Sequence, residues 1–216
     1  MRKLLYIWLL AGAALGARAE IIDRIAVTVD KIVITESDLI RHIRVAAFLD
    51  NEPVDLGPGA RRAAAQQMVE QVLVRREMEI SRYPAPTPDD VKPMLADLLH
   101  ARSWDQQGLA KSLAKYGISE QDLRESLLMQ LTLLRFIEYR FRPGVALNDQ
   151  EVEAYYKNEF LGRWKERNPG DAPALDDVRD GIEETLIERH VDEALDTWLK
   201  QAVARARIKY RKEAFE

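Results

Sequence analysis

The sequence predicts a mostly α-helical fold with a small β element formed by an N-terminal hairpin and a C-terminal strand. Three observations point there. β-Branched runs are confined to Ile25-Ala26-Val27-Thr28-Val29 and Ile32-Val33-Ile34 near the start, with a brief alternating Ile208-Lys209-Tyr210 near the end. Between them, apolar residues recur at helical spacing, punctuated by capping residues, glycines and prolines. The chain has no cysteine, so neither disulfides nor thiolate metal sites hold it, and a packed core must do so.

The first segment stands apart from the fold. Arg2 and Lys3 precede an apolar stretch from Leu4 to Leu15, and Ala17-Arg18-Ala19 sets small residues where a signal peptidase reads. The stretch is about a dozen residues, short of the ~20 that span a bilayer. Residues 1–19 are therefore expected to be a cleavable secretory signal, with Ala17 and Ala19 at the cleavage site and Glu20 as the new N-terminus. An uncleaved anchor, with membrane contact through that segment, is the rival.

The hairpin strands flank Asp30-Lys31, a weaker turn pair than Asn-Gly. Thr35 then offers an N-cap hydroxyl with Asp38 three residues on, opening a helix through about Leu49. Residues 51–59, with Pro53, Gly57, Pro58 and Gly59, form a loop. A helix follows from Ala60 to Arg82, carrying Met68, Val69, Val72 and Leu73 at core spacing. Thr87-Pro88-Asp89-Asp90 is a helix start, with acids at the positive end of the dipole. Asp105 to Tyr116 is a shorter helix closed by Gly117, and Ser119 to Phe141 a long one stopped at Pro143. Asn148 and Glu151 form a capping box for a helix to Phe160. The polar stretch 162–174 reads as a linker, and Asp176 to about Ala206 as the last helix. On that helix Ile187, Val191, Leu195, Trp198, Leu199 and Ala202 form one stripe; Val178, Ile182 and Leu186 lie off it, so the helix bends or changes partners. A strand from the far end of the chain would complete the hairpin, which is marginal alone.

Charge and motifs exclude several classes. The net charge is −4, and losing Arg2, Lys3 and Arg18 makes the remainder more acidic, which disfavours nucleic acid and anionic membrane surfaces as partners. His42, His100 and His190 stand singly, without the paired spacing of a zinc site, so no metal is expected. Asp89-Asp90 and Asp176-Asp177 read as first-turn acids rather than acid–base pairs. No nucleophile elbow, Walker loop or dinucleotide fingerprint is present, so no catalytic residue and no cofactor is expected.

The informative feature is surplus apolar surface. Within 119–141, Leu123, Leu127, Leu131, Leu134, Ile137 and Phe141 share one side, while Leu128, Met129, Phe136 and Tyr139 fall on the other. Such a helix is either buried between layers or lines a Met- and aromatic-walled groove for apolar peptides. On the second reading Leu128, Met129, Phe136 and Tyr139, joined by Trp198 and Tyr210, contact the bound chain.

Several segments, in order, resemble the SurA-type periplasmic chaperone family, with its relatives PpiD and PrsA. The text from Ile22 to Leu39 looks like that family's opening hairpin and first helix, and Met68 to Glu77 like its second helix. Leu147 to Tyr156 resembles the segment leading into the isomerase domain, and Val178 to Leu199 with Ile208-Lys209-Tyr210 the closing helix and strand. The resemblance implies a chaperone domain over 20–161, completed by 175–216, with 162–174 standing where a parvulin isomerase domain usually sits. It further implies ATP-independent holding of unfolded or extended apolar polypeptides in the periplasm, outer-membrane β-barrel precursors among them. Two alternatives stay open: a non-catalytic assembly or scaffold protein with one folded partner, and an isomerase by family name only. Homodimerisation would also cover the apolar faces.

Overall fold

The hairpin forms as expected: β1 (Ile25–Val29) pairs antiparallel with β2 (Ile32–Thr35), with a register irregularity between Ile25 and Val27. Asp30, in the left-handed region at φ 53°, makes the turn. A computed structural model describes residues 23–216, and the signal segment with Ala17, Ala19 and Glu20 lies outside the described residues. The C-terminal strand β3 (Ile208–Tyr210) adds to the other side of β1, giving the order β2-β1-β3. The remainder is helical, so the mostly α reading with a small sheet holds.

The helix starts follow capping chemistry. Thr35 caps α1 (Glu36–Asp50), and its backbone and side chain are bound in return by Asp38. Pro58 opens α2 (Pro58–Ser81), two residues before the expected start, because proline's fixed φ suits a first helical position. Thr87 and Asp90 form a box over a short 3₁₀ turn, Pro88–Val91, that leads into α3 (Lys92–Ala101). Asp105 caps α4 (Gln106–Tyr116), and Gly117 closes it at φ 66° while the Arg44 guanidinium donates to its carbonyl. Ser119 and Asp122 box the start of α5 (Glu120–Arg140). Replacing Ser119 by alanine orphans a first-turn N–H, and is expected to cost about 1 kcal/mol in denaturant unfolding.

Asn148 caps α6 (Asp149–Tyr155), which runs through a π turn, Tyr156–Phe160, into α7 (Leu161–Arg167). Part of the stretch expected to be linker is therefore helical, and the irregular connection is 168–174. Side chains one turn apart explain the continuation. Tyr156, Phe160 and Trp164 stack at centroid distances of 5.6 and 5.9 Å, and Glu159 pairs with Arg163 at 2.9 Å.

The last helix, α8 (Leu175–Arg205), changes partners along its length. Its first half places Ile182 and Leu186 against Val152 and Tyr155, and ion pairs from Arg189 to Glu159 and from Arg179 to Asp149 fasten the same contact. Its second half lays Leu195, Trp198 and Ala202 on the main body. There the sheet residues Ala26, Val27, Val29 and Ile34 share one buried cluster with residues of α1 and α2. After β3 a 3₁₀ turn, Lys212–Phe215, tucks Ala214 and Phe215 into this core.

Asp30 ties the hairpin to the C-terminal strand. Its carboxylate accepts from the Arg207 backbone N–H (3.1 Å) and from Arg76 (2.7 Å), and its own N–H donates to the Arg207 carbonyl. The Arg207 backbone N–H, with Arg76 helping, outweighs burial and holds this carboxyl below its ordinary value. A lowered carboxyl contributes stability above its unfolded pKa and loses it as pH falls through the folded value. Asp30→Asn should therefore be less stable than the parent at neutral pH, and the gap should close in acid on a denaturation series.

Candidate functional site

Helix α5 is the pivot of the site, because the face it buries turns along its length. Its first half sends Leu123 and Leu127 into a cluster with Phe48 of α1, Leu95 of α3 and Leu109 of α4. Its second half sends Phe136 between Val74 and Met78 of α2 and Trp198 of α8. Phe136 is fully buried, 4.8 Å from the Trp198 ring and edge-on to Phe141 at 5.4 Å.

Between α1, α2, α5 and the second half of α8 lies a groove of about 440 Å³. Its apolar walls are Ala46 and Leu49 from α1, Val74 from α2, Met129 and Leu133 from α5, and Leu195 and Leu199 from α8. Gln67, Gln71 and Gln130 stand among the polar lining residues, and His42 Nε2 shares a hydrogen bond with Gln67 at 2.9 Å. Among the described residues, Asp50 and Glu70 are its only carboxylates, and no lysine or arginine lines it. A smaller cavity of about 270 Å³ beside β2 adjoins the groove, with His42, Gln71, Ser126 and Met129 lining both.

These parts suit an extended polypeptide. The walls take apolar side chains without demanding a shape, since methionine and leucine adjust by rotamer. Side-chain amides both donate and accept, so glutamines at the rim can meet backbone N–H and C=O groups of any sequence.

The residues expected to form the contact surface are dispersed. Met129 lines the groove. Phe136 does not reach it: the ring is fully buried, so of the two readings of this helix the one that buries it between layers applies at Phe136. Packing from both α2 and α8 covers that side of α5. Leu128 is half-buried with the first-half cluster, and Trp198 is half-buried on Phe136. Tyr139 is 46% exposed and stacks on Tyr83 with centroids 6.0 Å apart. Tyr210, half exposed, sits at the sheet edge against Phe215, where burial and then the Glu70 charge raise its phenol pKa. Leu133, Val74 and Ala46 were not anticipated. Leu195 and Leu199 belong to the one stripe that spacing places on α8, and spacing alone does not separate groove wall from core.

No cluster of potential metal ligands occurs among the described residues. His190 lies 3.5 Å from Glu151. Asp90 serves the Thr87 cap, whose backbone N–H chiefly lowers its pKa, and pairs with Arg135. No described helix is long and apolar enough to cross a membrane.

No family model matches the chain. It is similar to a protein named Chaperone SurA from Saccharophagus degradans, 24% identical over 162 residues. The match covers 71% of this chain and 36% of that protein. The likeness thus agrees with the resemblance read from the ordered segments, and reaches about a third of the relative's length.

Proposed function

We propose that this protein is an ATP-independent chaperone that holds unfolded, extended polypeptides in the groove between α1, α2, α5 and α8. The observation that carries the reading is the groove itself, with Met129, Leu133, Leu195 and Leu199 as pliable apolar walls and glutamine amides around them. Likeness to a chaperone supports it. The signal-like residues 1–19 support a periplasmic site of work, where clients bound for the outer membrane would expose alternating apolar residues and aggregate unless covered.

The test is aggregation of a chemically unfolded β-barrel protein diluted into buffer without nucleotide. The purified protein should slow light scattering in proportion to its concentration, and no suppression at molar excess contradicts the proposal. The reading includes no isomerase activity. A proline-peptide assay should show the uncatalysed rate with and without the protein.

A further inference from the structure

We propose that the outer edge of β3 is a second docking site, which takes up an extended segment alternating apolar and acidic residues as a fourth strand of the sheet. The proposal rests on the reading of the protein as a binder of extended polypeptide, and adds to it a separate place and a charge preference.

Hydrogen-bond direction comes first. The Asp30 N–H donates to the Arg207 carbonyl, and the Arg211 N–H donates to the Ala26 carbonyl, each at 2.9 Å. Arg207 and Arg211 therefore turn their backbone groups toward β1, as does Lys209 between them, opposite Thr28. Strand geometry has period two, so the N–H and C=O groups of Ile208 and Tyr210 point away from the sheet, toward an edge where the described residues place no partner. At the opposite edge the N–H of Thr35 is already given to Asp38, which leaves Val33 as the one residue of β2 with both backbone groups turned outward, against two on β3.

Side-chain alternation then sets the partner's chemistry. Arg207, Lys209 and Arg211 are exposed and share the face turned away from α2, whereas Ile208 and Tyr210 share the other. Arg207 lies 3.6 Å from Asp30, while Lys209 and Arg211 make no ion pair among the described residues. On the inner side, a cavity of about 450 Å³ opens beside Tyr210 and Phe215, edged by Arg62, Gln66 and Lys212. Glu216 lies at the same cavity, and Glu70 acts on Tyr210, so the inner side mixes both signs while the outer row of β3 carries cations alone.

A segment lying along this edge finds backbone partners at Ile208 and Tyr210. Alternate side chains enter the cavity, and the residues between them face three cations. Carboxylates satisfy that row. A second copy of β3 does not, because antiparallel pairing about its centre would set Lys209 against Lys209. The charge row therefore selects an acidic strand over self-association.

The test uses a ten-residue fluorescent peptide alternating valine and glutamate, with the purified protein. Anisotropy should show binding that weakens with salt, and a valine–lysine peptide should bind at least about tenfold more weakly. Two N-methylated versions, blocked on amides of one or the other parity, should differ by about as much, since only one parity faces β3. Lys209→Glu should narrow the preference between the peptides severalfold, since Arg207 and Arg211 remain. Amide shifts should move at Ile208 and Tyr210 while those at Met129 and Leu133 stay. Shifts at Met129 and Leu133 instead, or equal binding of the two N-methylated peptides, would overturn the edge site and leave the groove reading standing. Concentration-dependent shifts of Ile208 without peptide would assign the edge to a second copy and overturn it as well. Failure of every extended peptide to bind anywhere would remove both.

Discussion

Replacing Phe136 with alanine is expected to destabilise the protein by about 3–5 kcal/mol, the range for emptying a buried aromatic site. The ring is wholly enclosed by α2, α5 and α8, with Val74, Met78 and Trp198 against it. Relaxation to close the void is resisted on each side: α2 is fixed to the sheet, and the second half of α8 is fixed through β3. Chemical denaturation should show a lower midpoint with little change in slope. Phe136→Leu, which keeps most of the volume, should recover a large part of the loss. A small effect for the alanine variant would mean that the second half of α8 does not seat on α5. The groove above it would then lose its fourth wall.

The second large effect concerns binding. Leu133 is half-buried on the groove wall, so aspartate there keeps its charge in reach of water when the groove is empty. An apolar client covering it forces a partly desolvated carboxylate against hydrocarbon, at a cost of about 1–3 kcal/mol. Leu133→Asp should therefore need about tenfold more protein for equal suppression of aggregation. Because Leu133 also packs on the Phe136 cluster, the unfolding midpoint should fall, and suppression is compared without denaturant at a temperature where both proteins are folded. Lys165→Asp, on the exposed face of α7, changes charge in the same direction and should leave suppression unchanged.

Local chemistry made most of the fold legible. Thr35, Thr87, Ser119 and Asn148 each begin a helix where a side-chain oxygen precedes an acid by three residues, and each forms the reciprocal box. The hairpin and the closing strand were legible as β-branched alternation at the two ends of the chain. Helical spacing likewise indicated that α8 bends or changes partners, and Ile182 and Leu195 lie in different clusters.

The groove was less legible, for a physical reason. Periodicity assigns residues to faces but does not say which neighbour covers a face. In α5 both faces are apolar, and the buried one rotates from Leu123 and Leu127 to Phe136 as the neighbours change. Leu134, placed on the inward stripe by spacing, ends 54% exposed because the second half of the helix packs through Leu133 and Phe136 instead. The short 3₁₀ turn at 212–215 gave no periodic signal either, yet it buries Phe215. In α7, a polar composition hid a helix carried by the Tyr156–Phe160–Trp164 stack.

The central claim is that unfolded chains lie in the four-helix groove. Site-specific photo-crosslinking tests it most directly, with the reactive side chain at position 133 on the groove wall and, as control, at position 165 on α7. With an unfolded β-barrel protein and no nucleotide, position 133 should capture client in high yield, position 165 should capture little, and the folded form of the same client should be captured at neither. Equal capture at the two positions, or capture only at 165, would contradict the account.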